Sequence, residues 1–174
     1  MTESPAPQAS KKKSDLGPRV LTSVLMLPPL LALLIWGPHW GWAALIAAAT
    51  AVGLDELYGM LMKDEAPLVR RVCVAIGTLF FVALYLFVGA KPMLELPVPQ
   101  AEFVLASLSV GMWAFFLFHL MRPRKIEWVA KTIAASLSGL LYVSLSFAFL
   151  ALLKRDFPET NGAWVLLLLA MTWM

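Results

Sequence analysis

Long apolar stretches, separated by short polar or proline-containing breaks, make up most of this sequence. The apolar residues run together rather than alternating with polar ones, which favours membrane-buried helices over the strands of a barrel. Six spans are predicted, over residues 20–36, 40 to about 62, 72–88, 103–121, 133–153 and 163–174. The expected fold is an all-α, polytopic transmembrane helix bundle with five full spans and a truncated sixth.

The last span is shorter than the others. Residues 163–174 contain no charge, glycine or proline, and no basic residue follows them. At about 1.5 Å per residue they cover roughly 18 Å of a hydrocarbon core that is about 30 Å thick. We therefore expect the transmembrane domain, residues 20–174, to be incomplete at its C-terminus.

The first 19 residues differ from the rest of the chain. They are polar, contain three prolines and include Lys11, Lys12 and Lys13, so we expect a disordered basic tail at residues 1–19. A signal peptide is the alternative, because a basic stretch precedes an apolar one. The apolar run is too long for a signal peptide, and further spans follow it.

Composition supports membrane insertion. Hydrophobic residues make up 60% of the 174, charged residues 14%, and the mean hydropathy is +0.78, which is far from the balance of soluble domains. The single cysteine, Cys73, excludes an intrachain disulfide. The net charge of +3 is small enough to reflect membrane topology, so we expect membrane lipids as partners and no nucleic acid.

The positions of lysine and arginine predict the orientation. If the spans alternate in direction, eleven of these residues lie on one side and three on the other, so the N-terminus is expected in the cytoplasm. Tryptophans at span ends predict an outer aromatic belt of Trp36, Trp40, Trp42 and Trp164 and an inner Trp128. The larger basic group is Lys11, Lys12, Lys13, Arg19, Lys63, Arg70, Arg71, Arg122, Arg124, Lys125 and Lys131, and the smaller is Lys91, Lys154 and Arg155.

Asp55 and Glu56 are the most suggestive charges. From Trp40 they lie roughly 22 Å into a helix, so if that helix continues to Met62 the pair is about 10 Å short of its cytoplasmic end. Charges at that depth are costly unless they face a polar cavity or a cation. The alternative is a helix that ends near Leu57, with both carboxylates in solvent.

The fifth span contains small and polar residues at regular spacing. Ala134 with Ser138 and Ala135 with Gly139 are four apart, a pattern that favours close helix packing. Tyr142 is expected either to reach a lipid headgroup or to form a hydrogen bond to another helix. Packing explains these residues without a ligand.

The remaining polar residues do not define an active site. His39 and His119 have no partner at metal-ligand spacing and are expected at the membrane interface. The clusters at residues 122–125 and 154–156 either bind lipid phosphates or only set the topology. The sequence shows no phosphate-binding glycine loop, no nucleophile with an adjacent base and no carboxylate cluster for two divalent ions, so we assign no catalytic, cofactor-binding or metal-binding residue.

Several short motifs occur in a characteristic order. Residues 19–24 (RVLTSV) open the first span, which contains the Leu-Pro-Pro-Leu of residues 27–30. The Gly-Pro turn at 37–38, the Glu-Leu-Tyr of 56–58 and the Gly-Leu-Leu-Tyr-Val of 139–143 follow. In this order they resemble the N-terminal part of the phosphatidate cytidylyltransferase (CDP-diacylglycerol synthase) family, over nearly everything after the tail.

The resemblance implies a multi-pass enzyme of the bacterial inner membrane. Its substrates would be phosphatidate and CTP, its products CDP-diacylglycerol and pyrophosphate, its cofactor Mg²⁺, and a homodimer is a candidate assembly. The run at residues 163–174 is similar to the helix that leads into the catalytic half of that family. The family's signature, with Ser, Lys-Arg, Lys-Asp, His-Gly-Gly and Asp-Arg elements, lies in that half and has no match here. We therefore expect the Mg²⁺ ligands outside this chain, and the chain to be inactive alone.

Two other classes of function remain open. A transporter fragment would explain Asp55, Glu56 and the two prolines of the first span, although no inverted repeat is visible. A non-enzymatic membrane scaffold subunit is the other, and the uncapped last span argues against it.

Overall fold

In a computed structural model of the chain, the described residues are 16–89, 92–94, 99–122, 125–160 and 162–173, without the side chains of 16–24, 26 and 173. Within them the regular structure is entirely helical, so the predicted all-α fold is confirmed. A 3₁₀ turn at Pro158–Thr160 precedes the last helix. The helices are α1 (Leu16–Ile35), α2 (His39–Leu61), α3 (Pro67–Phe87), α4 (Gln100–Leu120), α5 (Ile126–Asp156) and α6 (Ala163–Trp173).

Helices α2, α3, α4 and α5 are each long and apolar enough to cross a membrane, and α6 is a shorter apolar helix. The chain is therefore a multi-pass membrane protein. Helix α1 occupies the first predicted span and continues through Pro28 and Pro29. Its crossing stays a prediction, because many of its side chains lie outside the described residues. It begins at Leu16, within the predicted tail, and residues 1–15 lie outside the described part.

Several helices extend beyond the apolar runs that predicted them. Helix α3 begins at Pro67 rather than at 72, and α5 runs over 31 residues rather than over 133–153. Proline is favoured in the first turn of a helix, and charged residues such as Arg70, Glu127 and Lys131 have high or adequate helix propensity. Hydropathy marks the part of a helix that suits lipid, whereas backbone hydrogen bonding continues past it.

Helix α5 changes its geometry in the middle. An α-helical part, Ile126–Ser138, leads into a π-helical segment, Gly139–Leu145, and a second α-helical part, Ser146–Asp156, follows. The wider turn brings both Gly139 and Ser144, five residues apart, into the protein interior. No feature of the hydrophobic pattern had indicated this segment.

Helix α3 lies at the centre of the bundle and contacts α2, α4 and α5. The core between them includes Leu54, Phe81, Phe115 and Leu140, none more than 1% exposed. The outward faces are also apolar, and Trp113 on α4 is 62% exposed. A protein that is apolar both inside and outside is suited to lipid rather than to water.

Side-chain contacts define the two ends of the bundle. An ion pair between Arg122 and Glu65 joins the loops after α4 and α2, so both loops lie at what we call the basic end. Lys154 binds the carbonyl oxygen of Gly37, and Arg155 binds that of Val88. The residues after α1, α3 and α5 therefore lie together at the opposite end.

Candidate functional site

Four helices contribute polar side chains to one buried cluster, which we call the polar cluster. Its members are Tyr58 from α2, Cys73 from α3, His119 from α4, and Thr132 and Ser136 from α5. None is more than 5% exposed. Because Tyr58 and His119 are near the ends of their helices and Cys73 is near the start of its own, the cluster lies toward the basic end.

Hydrogen bonds connect the members of the polar cluster. Ser136 Oγ donates to the carbonyl oxygen of Thr132 at 2.9 Å, and His119 Nε2 lies 2.9 Å from the same Oγ. A hydroxyl has a single hydrogen, so while Ser136 Oγ donates to Thr132 it can only accept from His119. Tyr58 donates its hydroxyl hydrogen to the carbonyl oxygen of Ser136 at 3.1 Å. The network thus satisfies polar groups that lipid could not.

The cluster also brings a thiol next to an imidazole, which the sequence had not indicated. Cys73 Sγ lies 3.8 Å from His119 Nε2 and 3.6 Å from Ser136 Oγ. All three side chains are buried, and their contacts join α3, α4 and α5. The expectation that His119 lies at the membrane interface is wrong, because α4 turns it inward toward Ser136. His119 and Ser136 are 17 residues apart, so no local sequence pattern indicates that they are in contact.

Asp55 and Glu56 lie on different faces of α2. The helix continues to Leu61, so the alternative of an early helix end is wrong. Asp55 forms an ion pair with Arg70 on α3. Arg70 Nε and Asp55 Oδ1 are 2.9 Å apart, and the Asp55 side chain is 48% exposed. Glu56 is exposed. The neighbouring helix thus supplies a cation to Asp55.

The basic loop after α4 is partly engaged inside the protein. Arg122 Nη1 lies 2.7 Å from Glu65 Oε2, and the Glu65 side chain is only 3% exposed. Of the predicted phosphate-binding cluster at 122–125, Arg122 therefore has an internal partner. Residues 123 and 124 lie outside the described part.

At the opposite end Arg155 closes the end of α3. Its guanidinium donates to the carbonyl oxygens of Tyr85 and Val88 and pairs with Asp156, with Nε and Oδ1 3.2 Å apart. Such carbonyls have no partner within their own helix. Gly89 adopts a φ of 114° directly against Arg155 and Asp156, where a side chain would not fit. Arg155 is thus a helix-capping residue.

Lys154 closes the end of α1 in a similar way. Its Nζ donates to the carbonyl oxygens of Leu33 and Gly37 at 2.7 and 2.9 Å, and it lies 5.8 Å from the centroid of the Trp42 ring. Trp42 is 5% exposed, so its predicted place in the outer aromatic belt is wrong. Trp36 at 82% and Trp40 at 64% are exposed at this end.

The small residues of α5 serve the expected packing on one face only. Gly139 lies directly against the Tyr58 ring, and Ala135 is buried, so this pair forms a helix contact. Ala134 faces outward. Tyr142 is 79% exposed and forms no hydrogen bond to another helix within the described residues. The lipid-headgroup interpretation for Tyr142 stays a prediction.

The described residues do not fit a Mg²⁺ site. No group of three His, Cys, Asp or Glu within them is placed to hold a metal ion. Asp55, Glu65 and Asp156 each form an ion pair with an arginine and lie on different elements. We therefore derive no catalytic step from them, and the polar groups described above are structural in their geometry.

The sequence was also compared with protein families. The sequence profile of the cytidylyltransferase family matches residues 17–174, which include all six helices except the first residue of α1. Comparisons with curated proteins and with solved structures gave no match. Because the family match extends over more than half of the sequence, the chain belongs to the cytidylyltransferase family.

Proposed function

We propose that the chain is the N-terminal membrane part of a CTP:phosphatidate cytidylyltransferase, which makes CDP-diacylglycerol for phospholipid biosynthesis. The observation that carries this proposal is the family match over residues 17–174. The apolar helices α2 to α5 support it, because an enzyme that takes a lipid substrate has reason to lie in the membrane. The match favours an enzyme over the transporter and scaffold alternatives.

In the proposed reaction a phosphate oxygen of phosphatidate attacks the α-phosphorus of CTP. The bond from that phosphorus to the bridging oxygen of the β-phosphate breaks, and pyrophosphate leaves. Both reactants are anionic, so Mg²⁺ and basic side chains are needed to offset the repulsion. We propose that the ligands of Mg²⁺ lie outside this chain, since its sequence has no match to the family's signature.

The part played by this chain is then structural. The polar cluster and the ion pairs Asp55–Arg70 and Glu65–Arg122 hold α2 to α5 in register. A groove of about 430 Å³ runs between α3 and α4, and Ser107 is the polar residue among its apolar lining. Its chemistry suits a lipid chain, so we assign it to lipid access. A homodimer in the bacterial inner membrane, with the N-terminus cytoplasmic, completes the proposal.

The test is CTP-dependent turnover. The purified chain in mixed micelles with phosphatidate, CTP and Mg²⁺ is expected to form no CDP-diacylglycerol above background. A chain extended by the coding sequence beyond codon 174 is expected to form it, and the extension to contain the family's signature. Turnover by residues 1–174 alone would contradict the assignment of a structural role. An inactive extended chain without the signature would contradict the enzyme.

A further inference from the structure

A small pocket opens at the opposite end of the bundle. It lies between the turn after α1, the start of α2 and the end of α5, and its volume is about 220 Å³. Gly37, Pro38, His39, Lys154 and Pro158 are among the residues that line it. Most of the other buried polar side chains in the described part of the chain face protein partners, whereas Lys154 lines an open space.

Lys154 brings a positive charge to the wall of this pocket. Its residue is only 7% exposed, and its two hydrogen bonds go to the neutral carbonyl oxygens of Leu33 and Gly37. An ammonium group has three hydrogens, so one remains for a further acceptor. No carboxylate within the described residues forms an ion pair with Lys154. A buried charge without a counter-charge is unfavourable, so an anion would stabilise this arrangement.

The first turn of α2 adds backbone hydrogen-bond donors to the same pocket. Helix α2 begins there with Pro38 as its N-cap, and no side chain caps its first turn. The free N–H groups of a first turn carry partial positive charge. Trp42, beside Lys154, has a buried indole N–H with no hydrogen-bond partner within the described residues. Lys154 and the first turn of α2 thus both offer hydrogen-bond donors at the pocket.

We propose that this pocket binds one phosphate group, with Lys154 as its counter-ion and the first turn of α2 as a second source of donors. Phosphate fits because it is anionic and accepts several hydrogen bonds at once. At the end of a membrane-spanning bundle it is available as a phospholipid headgroup or as free phosphate. The site lies at the end away from the basic loops, so it is separate from the proposed reaction.

The test is retention of lipid by the purified chain in native mass spectrometry from detergent. The probes are dioleoylphosphatidylglycerol, dioleoylglycerol with the same chains but no phosphate, and inorganic phosphate. We expect adducts with phosphatidylglycerol, and at least a tenfold loss of them in Lys154→Met, because a hydrogen-bonded charge contributes that much. Lys63→Met, which removes an exposed lysine at the basic end, is the matched control and should bind as the unmodified chain does.

A second variant separates binding from folding, since Lys154→Met also removes the cap of α1. Ile35→Phe narrows the pocket and leaves the ammonium and both carbonyl oxygens in place, so it should lose the adducts while circular dichroism shows native helix content. If Lys154→Met does not fold, the adducts retained by Ile35→Phe are the test of the proposal. Displacement of the lipid by inorganic phosphate would identify free phosphate as the source. Equal retention of dioleoylglycerol, or unchanged adducts in the folded variants, would overturn the proposal.

Discussion

The two ends of the bundle use their cationic side chains differently. At the basic end Arg70 and Arg122 bind the carboxylates of Asp55 and Glu65. At the opposite end Lys154 and Arg155 bind backbone carbonyl oxygens where α1 and α3 finish. Among the described residues, basic side chains are numerous at the basic end and scarce at the opposite end. The two described basic residues at the opposite end, Lys154 and Arg155, are the buried ones. Their positions depend on backbone carbonyl groups that need hydrogen-bond donors.

This difference has an energetic consequence. The Asp55–Arg70 pair is partly exposed, and pairs of that kind contribute little to stability. Arg155 is 7% exposed, and its removal would leave buried carbonyl oxygens without donors, which is costly. We therefore expect the charges most important for stability to lie at the end that has fewer basic residues.

The strongest test of the comparison is Arg155→Met. Loss of its bonds to Tyr85 and Val88 should lower the free energy of unfolding by about 3 kcal/mol. The measurement is denaturation in mixed micelles followed by circular dichroism. Arg71→Met, at an exposed arginine of the basic end, should change it by less than about 0.5 kcal/mol. Equal effects of the two variants would remove the distinction between the ends.

Packing near the basic end is tested by Gly139→Ala. The added methyl group would overlap the Tyr58 ring, and such overpacking costs about 2 kcal/mol. Gly53→Ala is the matched control, because its methyl group would lie 3.5 Å from the nearest Val143 atom, an ordinary contact. Tyr58→Phe combined with Gly139→Ala should recover part of the loss. A neutral Gly139→Ala would show that the basic end does not depend on this contact.

The polar cluster is tested by a double-mutant cycle between His119→Leu and Ser136→Ala. The hydrogen bond of 2.9 Å between these side chains should give a coupling free energy of about 1 kcal/mol, typical of hydrogen bonds between membrane helices. The same unfolding assay measures it. A coupling indistinguishable from zero would mean that burial alone, and not the hydrogen bond, stabilises this region.

The smallest effect is expected from Asp55→Asn. Its ion pair with Arg70 is partly exposed, so the loss should be about 0.5 kcal/mol or less. Glu56→Gln, at an exposed carboxylate on another face of α2, is the control and should be neutral. High salt should reduce the difference between the two variants. A loss of stability as large as that of Arg155→Met would show a strong interaction at the basic end and would contradict the proposed difference between the two ends.

Local patterns determined the helices of this protein, and tertiary contacts determined the roles of its polar residues. Runs of apolar residues are sufficient to predict six helices, because lipid leaves backbone groups no other partners. The order of short motifs indicated the family that the profile match then showed. The capping roles of Lys154 and Arg155 depend on carbonyl groups 67 to 121 residues away. Contacts over such distances in the sequence cannot be predicted from residue spacing.

The polar cluster makes the same point. His119, Cys73 and Ser136 are unremarkable in the sequence, and they meet because α3, α4 and α5 pack with these faces together. The π-helical segment Gly139–Leu145 arises likewise, in a stretch whose apolar pattern suits an ordinary helix. Hydrophobic burial acts on each segment separately, so it can be predicted from the sequence of that segment. Hydrogen bonds and ion pairs between segments require their final positions, so the folded bundle alone decided them.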